Sequence, residues 1–189
     1  ERALALVGIG GIATIQEKDE NNLTANSHFM SAVELDPTCA YALVELGKLR
    51  LSEGHPEIAF SYFSKAIKAD PDYVNAYVQR ADLFAQGGEY DDAYQDLMVA
   101  LRLRPNDIVI LYNLAIIERA LPAPKYEEAL KHLLHANKVA EGKNPNVLFE
   151  IGNHYLVMYP AVAWKYFTEA LEWNPGHYMA TFSRGLAGV

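Results

Sequence analysis

The chain has 189 residues, 51% of them hydrophobic and 21% charged, which supplies apolar material for a substantial core and excludes a disordered segment. Its formal net charge is −8 and its pI about 5.2, so it lacks the basic balance that nucleic-acid phosphates demand. The longest apolar run is too short to insert across a bilayer, and a lone cysteine, Cys39, forbids an internal disulfide and fits a reducing cytoplasmic or nuclear setting. The chain starts at Glu1 without a methionine and reads as a piece of a longer protein, so targeting signals are not legible.

The first feature in chain order is Gly8-Ile9-Gly10-Gly11-Ile12-Ala13, after the apolar run Ala3 to Val7. It satisfies the spacing of a dinucleotide fingerprint, whose turn cradles a pyrophosphate at a helix start. Register argues against that role. Ala13 stands twelve residues before Ala25, where a repeating helical pattern requires a small residue, and a strand cannot share these positions. No cofactor is expected.

That pattern runs down the chain. Ala25, Phe29, Ala32 and Pro37 recur as Ala59, Phe63, Ala66, Pro71, then Ala93, Leu97, Ala100, Pro105, and again as Ala163, Phe167, Ala170, Pro175. Pro37, Pro71 and Pro105 lie 34 residues apart. Residues at i, i+4 and i+7 share a helical face, so each set is a stripe on one helix. Fifteen residues after Ala32, Ala66 and Ala100 come Gly47, Ala81 and Ala115, each on a second helix. Every unit is therefore a helical hairpin whose small sites let backbones approach and whose large residue fills the space between. Asp36-Pro37, Asp70-Pro71, Arg104-Pro105 and Asn174-Pro175 close the second helix, because the residue before proline disfavours helical geometry. Glu53-Gly54-His55-Pro56 and Gln86-Gly87-Gly88-Glu89 supply the turns within hairpins.

Two units depart from the pattern. Ala115 to Ala129 is 14 residues where other units have 12, with Leu121-Pro122-Ala123-Pro124 in the excess, and Glu141 replaces the closing proline. The next unit, Gly152 to Ala163, is one residue short around Val157-Met158-Tyr159-Pro160. An irregular zone is expected over residues 118–160.

These residues closely resemble the tetratricopeptide repeat, most nearly along Phe63-Ser64-Lys65-Ala66-Ile67-Lys68-Ala69-Asp70-Pro71-Asp72-Tyr73. The resemblance implies an all-α, right-handed solenoid of tandem helical hairpins, organised as a single array. Repeats are placed at 6–39, 40–73, 74–107, 108–144 and 145–177, with a partial sixth inner helix at 178–189.

Other features carry no chemistry. His132 and His135 lie a turn apart without a third metal ligand and are expected to be solvated. Asp91-Asp92 and Glu127-Glu128 open outer helices, where they complement the helix dipole. No nucleophile stands beside a base, so a non-enzymatic protein is expected.

Two residues along a helix is about 200° of rotation, which turns Tyr41, Val44 and Lys48 away from the stripe of Leu43, Leu46 and Arg50. In the family this face lines a concave peptide groove. By register it comprises Val7, Gly10 and Thr14; Tyr41, Val44 and Lys48; Asn75, Val78 and Asp82; Val109, Tyr112 and Ile116; and Asn146, Phe149 and Asn153. The family's carboxylate clamp for heat-shock chaperones needs cations and amides on successive inner helices. Asn113 could match its central asparagine, but Val78 and Asp82 on one side and Asn146 and Glu150 on the other do not complete it, and Lys48 is the one cation in the set. The expectation is a scaffold whose groove takes an apolar peptide or helix, with asparagines bonding its backbone. Alternatives are the recognition domain of a larger enzyme, such as a glycosyltransferase or phosphatase, and a self-associating structural subunit.

Overall fold

The computed structural model describes residues 20–188; the glycine-rich run and the positions Val7, Gly10 and Thr14 lie outside them. The described residues form ten helices and no strand: α1 (Glu20–Leu35), α2 (Ala40–Ser52), α3 (Pro56–Ala69), α4 (Val74–Gln86), α5 (Tyr90–Leu103), α6 (Ile108–Ala120), α7 (Tyr126–Val139), α8 (Pro145–Tyr155), α9 (Pro160–Trp173) and α10 (Tyr178–Ala187). They fall into two compact units divided between Leu103 and Arg104, the first holding α1–α5 and the second α6–α10. The most extensive packing is within hairpins, α2 on α3 and α4 on α5 in the first unit, α6 on α7 and α8 on α9 in the second. The all-α class read from the repeat is the class observed.

The helix ends follow from local chemistry. Pro56, Pro145 and Pro160 sit in the first turns of α3, α8 and α9, where the missing N–H costs nothing. Asp107 caps α6 by accepting from the amides of Val109 at 2.9 Å and Ile110 at 3.3 Å. Asn144 does the same for α8. The residue before the closing proline has a second use. Asp36, Asp70 and Asn174 each accept the amide two residues on, from Thr38, Asp72 and Gly176 at 2.9, 3.0 and 3.1 Å. These side-chain turns bridge the proline and aim the chain into the next inner helix. Thr38 bonds Asp36 through both its hydroxyl and its amide, which holds that carboxyl below its usual pKa.

The core of each hairpin is a size-matched pair. Phe63 and Phe167 are fully buried, and a Cβ added to Gly47 or Gly152 would stand 2.4 or 2.5 Å from the ring of Phe63 or Phe167. Where the inner residue is Ala81 or Ala115, its register partner is the smaller Leu97 or Leu133, and all four are buried. One methyl on the inner helix is thus traded against ring volume on the outer one, at constant packing density.

The irregular units resolve into local detail. The connection Leu121–Lys125 is anchored by Leu121, which is buried, and by the Lys125 amide bonding the Glu118 carbonyl at 2.8 Å. After α7, Glu141 and Gly142 both adopt positive φ, 54° and 71°, so a left-handed pair replaces the proline turn. The missing residue of the next unit comes out of the helix: α8 has 11 residues against 13 in α2, α4 and α6.

Candidate interaction faces

Within the first unit, Tyr41 and Lys48 of α2 and Asn75 and Asp82 of α4 reach the surface, and Val78 is half-buried. Tyr41 leans on Phe29, ring centroids 6.3 Å apart, and burial raises its phenol pKa. Lys48 is held by Glu45 at 2.8 Å, so the one cation of the set is already paired. Protein atoms crowd the Asp82 carboxyl and raise its pKa, although the side chain keeps contact with solvent.

Val44 corrects the sequence reading. It is 1% exposed and belongs to a core cluster with Leu43, Ala59, Phe63 and Ala76. Rotation away from the Leu46 stripe does not lead into open space, because α4 packs on α2 and presents the small Ala76. Leu46 packs instead with Phe29 and Ala42, so α2 is covered on two sides and Val44 lines no groove.

In the second unit Val109 is 58% exposed, Asn146 is exposed, and Tyr112, Ile116, Phe149 and Asn153 are half-buried. Phe149 is partly committed, with its ring centroid 5.8 Å from Phe167 and 4.9 Å from His177. A polar crosslink that spacing did not reveal ties α6 to α8: Arg119 donates to Glu150 at 2.6 Å. Burial, and then Glu150, raises the Tyr112 pKa, with Arg119 opposing. Burial, and then Arg119, holds His154 below the usual histidine value. This face therefore combines an apolar stretch with a closed ion pair, and Glu150 is consumed internally.

The expected solvation of His132 is also corrected, whereas the contact of His135 lies at the surface. His132 Nδ1 lies 2.9 Å from Glu118, a carboxylate only 1% exposed, and His135 Nε2 lies 3.0 Å from Asn106. His132 serves hairpin packing. Asp96 occupies the register of His132 in the preceding hairpin, and there it takes a two-pronged bond from Arg80, 2.7 and 2.8 Å. The same outer-helix position thus anchors a polar clasp in both hairpins, to inner-helix partners one turn apart in register, visible only once the helices are paired. No group of three or more His, Cys, Asp or Glu side chains among the described residues is placed to hold a metal, and none of their helices is long and apolar enough to cross a membrane.

Residues 44–108 match the family model described as tetratricopeptide repeat. That stretch carries tetratricopeptide repeats. A TPR repeat-containing protein of Methanocaldococcus jannaschii is 44% identical over 54 residues, a match spanning 28% of this chain and 10% of that protein. The chain thus covers about a tenth of the length of that relative. Among solved structures, PilF of Pseudomonas aeruginosa superposes with a TM-score of 0.80 at 20% identity, over 99% of this chain and 87% of that one. YrrB, described as a TPR protein with an unusual peptide-binding site, gives 0.73 at 17% identity, over 97% and 92%. A MamA protein gives 0.71 at 20% identity, over 93% of each chain. The fold is an α-solenoid of helical repeats, an architecture that in general serves as a protein–protein interaction scaffold.

Proposed function

We propose that this chain is a non-enzymatic scaffold that receives an apolar peptide or helix on the inner helices of its repeats. The observation that carries this reading is the face of α6 and α8, where Val109 stands 58% exposed beside the half-exposed side chains of Tyr112 and Ile116. Apolar side chains held at a surface in a row are the usual mark of a partner site. Asn146 and Asn153 flank them with amides suited to a peptide backbone. The Arg119–Glu150 pair closes on itself, which disfavours recognition of a terminal carboxylate there.

The test uses a displayed library of random peptides, selected on the wild-type protein and re-assayed on Val109→Ala/Tyr112→Ala/Ile116→Ala. Phe149 is left alone because it packs on Phe167 and His177. Enriched peptides are expected to carry apolar anchors and to lose at least tenfold in affinity on the variant, about 1.4 kcal/mol or more. Its melting curve should stay close to wild type. Peptides that bind both proteins equally would refute the placement.

A further inference from the structure

A pocket of about 550 Å³ opens in the first unit away from the concave set, between the start of α3 and the end of α4, lined among others by Glu57, Phe60, Leu83, Phe84, Gly87 and Glu89. Its floor is an aromatic pair, Phe60 and Phe84, in edge-to-face contact at 5.3 Å. Phe60 is 37% exposed. At the same register between α1 and α2 stand Asn26 and Arg50, which close on each other by a hydrogen bond. The aromatic pair leaves that edge open.

The charged side chains that line the pocket are all acidic. Glu57 and Glu89 stand at its rim, and neither forms an ion pair among the described residues. The C-terminal end of α4 lines it with no basic residue in its last turn, and the N-terminal end of α3 lines it with Glu57 in its first turn. The nearby cation, Arg80, is not part of the lining. Its guanidinium carbon sits 5.9 Å from each ring, and its charge is spent on Asp96. Arg80 braces the two rings and leaves the carboxylates unbalanced.

We infer that this pocket receives an arginine side chain from a partner protein. Its guanidinium would lie between Glu57 and Glu89 and its methylenes over Phe60 and Phe84. The carboxylates supply paired acceptors for the planar donor fork, and the rings supply both apolar cover for the stem and cation–π attraction. The net charge of −8 steers such a basic segment towards the chain. The site is separate from the α6–α8 face, so failure of either reading leaves the other standing.

The experiment is a nitrogen-15 NMR titration with Nα-acetyl-arginine amide, run in parallel with Nα-acetyl-citrulline amide, its uncharged analogue of the same shape. Saturable shifts at the amides of Gly87, Gly88 and Glu89 are expected from the arginine probe. The citrulline probe should bind about tenfold more weakly for want of the charge pair. Glu57→Gln/Glu89→Gln should bring arginine binding down to the citrulline level with the melting curve in place, since both side chains are exposed. Equal binding of the two probes overturns the inference. So do shifts that survive the double substitution, shifts confined to other acidic sites such as Asp91 and Asp92, and the absence of saturable shifts at these three amides.

Discussion

Gly47→Ala puts the size-matched core to its most direct test. In an open helix this change stabilises, by about 1 kcal/mol, because glycine is the poorer helix former. Here the new methyl would meet three atoms of the Phe63 ring at 2.4, 2.8 and 3.0 Å, whereas ordinary contact begins at 3.4 Å. The ring would have to retreat by 1.0 Å (3.4 − 2.4). Phe63 has no exposed surface and is enclosed by Ala59, Ala66, Leu43 and Val44, so the retreat pushes into a filled core. Overpacking of this kind costs about 1–3 kcal/mol, and with a clash this deep at the upper end of that range it outweighs the propensity gain of about 1 kcal/mol. The expected net result is a loss of stability in chemical denaturation. Phe63→Leu alone leaves a void and also destabilises, less than the roughly 3–5 kcal/mol of Phe63→Ala. Combining Gly47→Ala with Phe63→Leu recreates the pairs Ala81–Leu97 and Ala115–Leu133. The double variant should therefore be more stable than the two single losses summed, by a coupling of about 1 kcal/mol or more. Strict additivity, or a Gly47→Ala protein more stable than wild type, would refute the packing argument.

Two further outcomes follow from groups the packing has partly stripped of water. His132→Leu removes a partner from the buried Glu118 carboxylate and should cost about 1–3 kcal/mol, kept below the fully buried case because His132 is 23% exposed. Adding Glu118→Gln should restore part of that loss in the same denaturation assay, and no recovery would mean the clasp is not electrostatic. Asp82→Asn should raise the melting temperature at neutral pH. Burial lifts its folded pKa above the ordinary aspartate value of 3.8, so between those two values the native state binds more protons than the unfolded state. The penalty for ionised Asp82 is therefore fully present at neutral pH and fades as pH falls through the folded value towards 3.8. Melting curves of the two proteins should converge in acid, and a difference that does not change with pH would exclude this cause.

Much of this was legible in the chain. Phe63, between Ala59 and Ala66 at helical spacing, announces a buried ring before any coordinates exist, and the helices begin at Ala40, Val74, Ile108, Pro145 and Tyr178 because prolines and turn residues punctuate there. Such information is local: helical periodicity and the conformational limits of proline act within a few residues of the side chain that carries them. Side-chain environment is not local. Val44 has the rotation of a groove residue and lies in the core because α4, thirty residues further on, brings Ala76 against it. His132 has the spacing of a solvated residue and meets Glu118 because the hairpin folds back. Arg119 and Glu150 pair across 31 positions of sequence, and Phe60 meets Phe84 across an inter-hairpin seam. Repetition in the sequence determined which residues form each hairpin. Tertiary packing alone decided which of the outward positions remained open, because exposure depends on what a neighbouring helix carries at the point of contact.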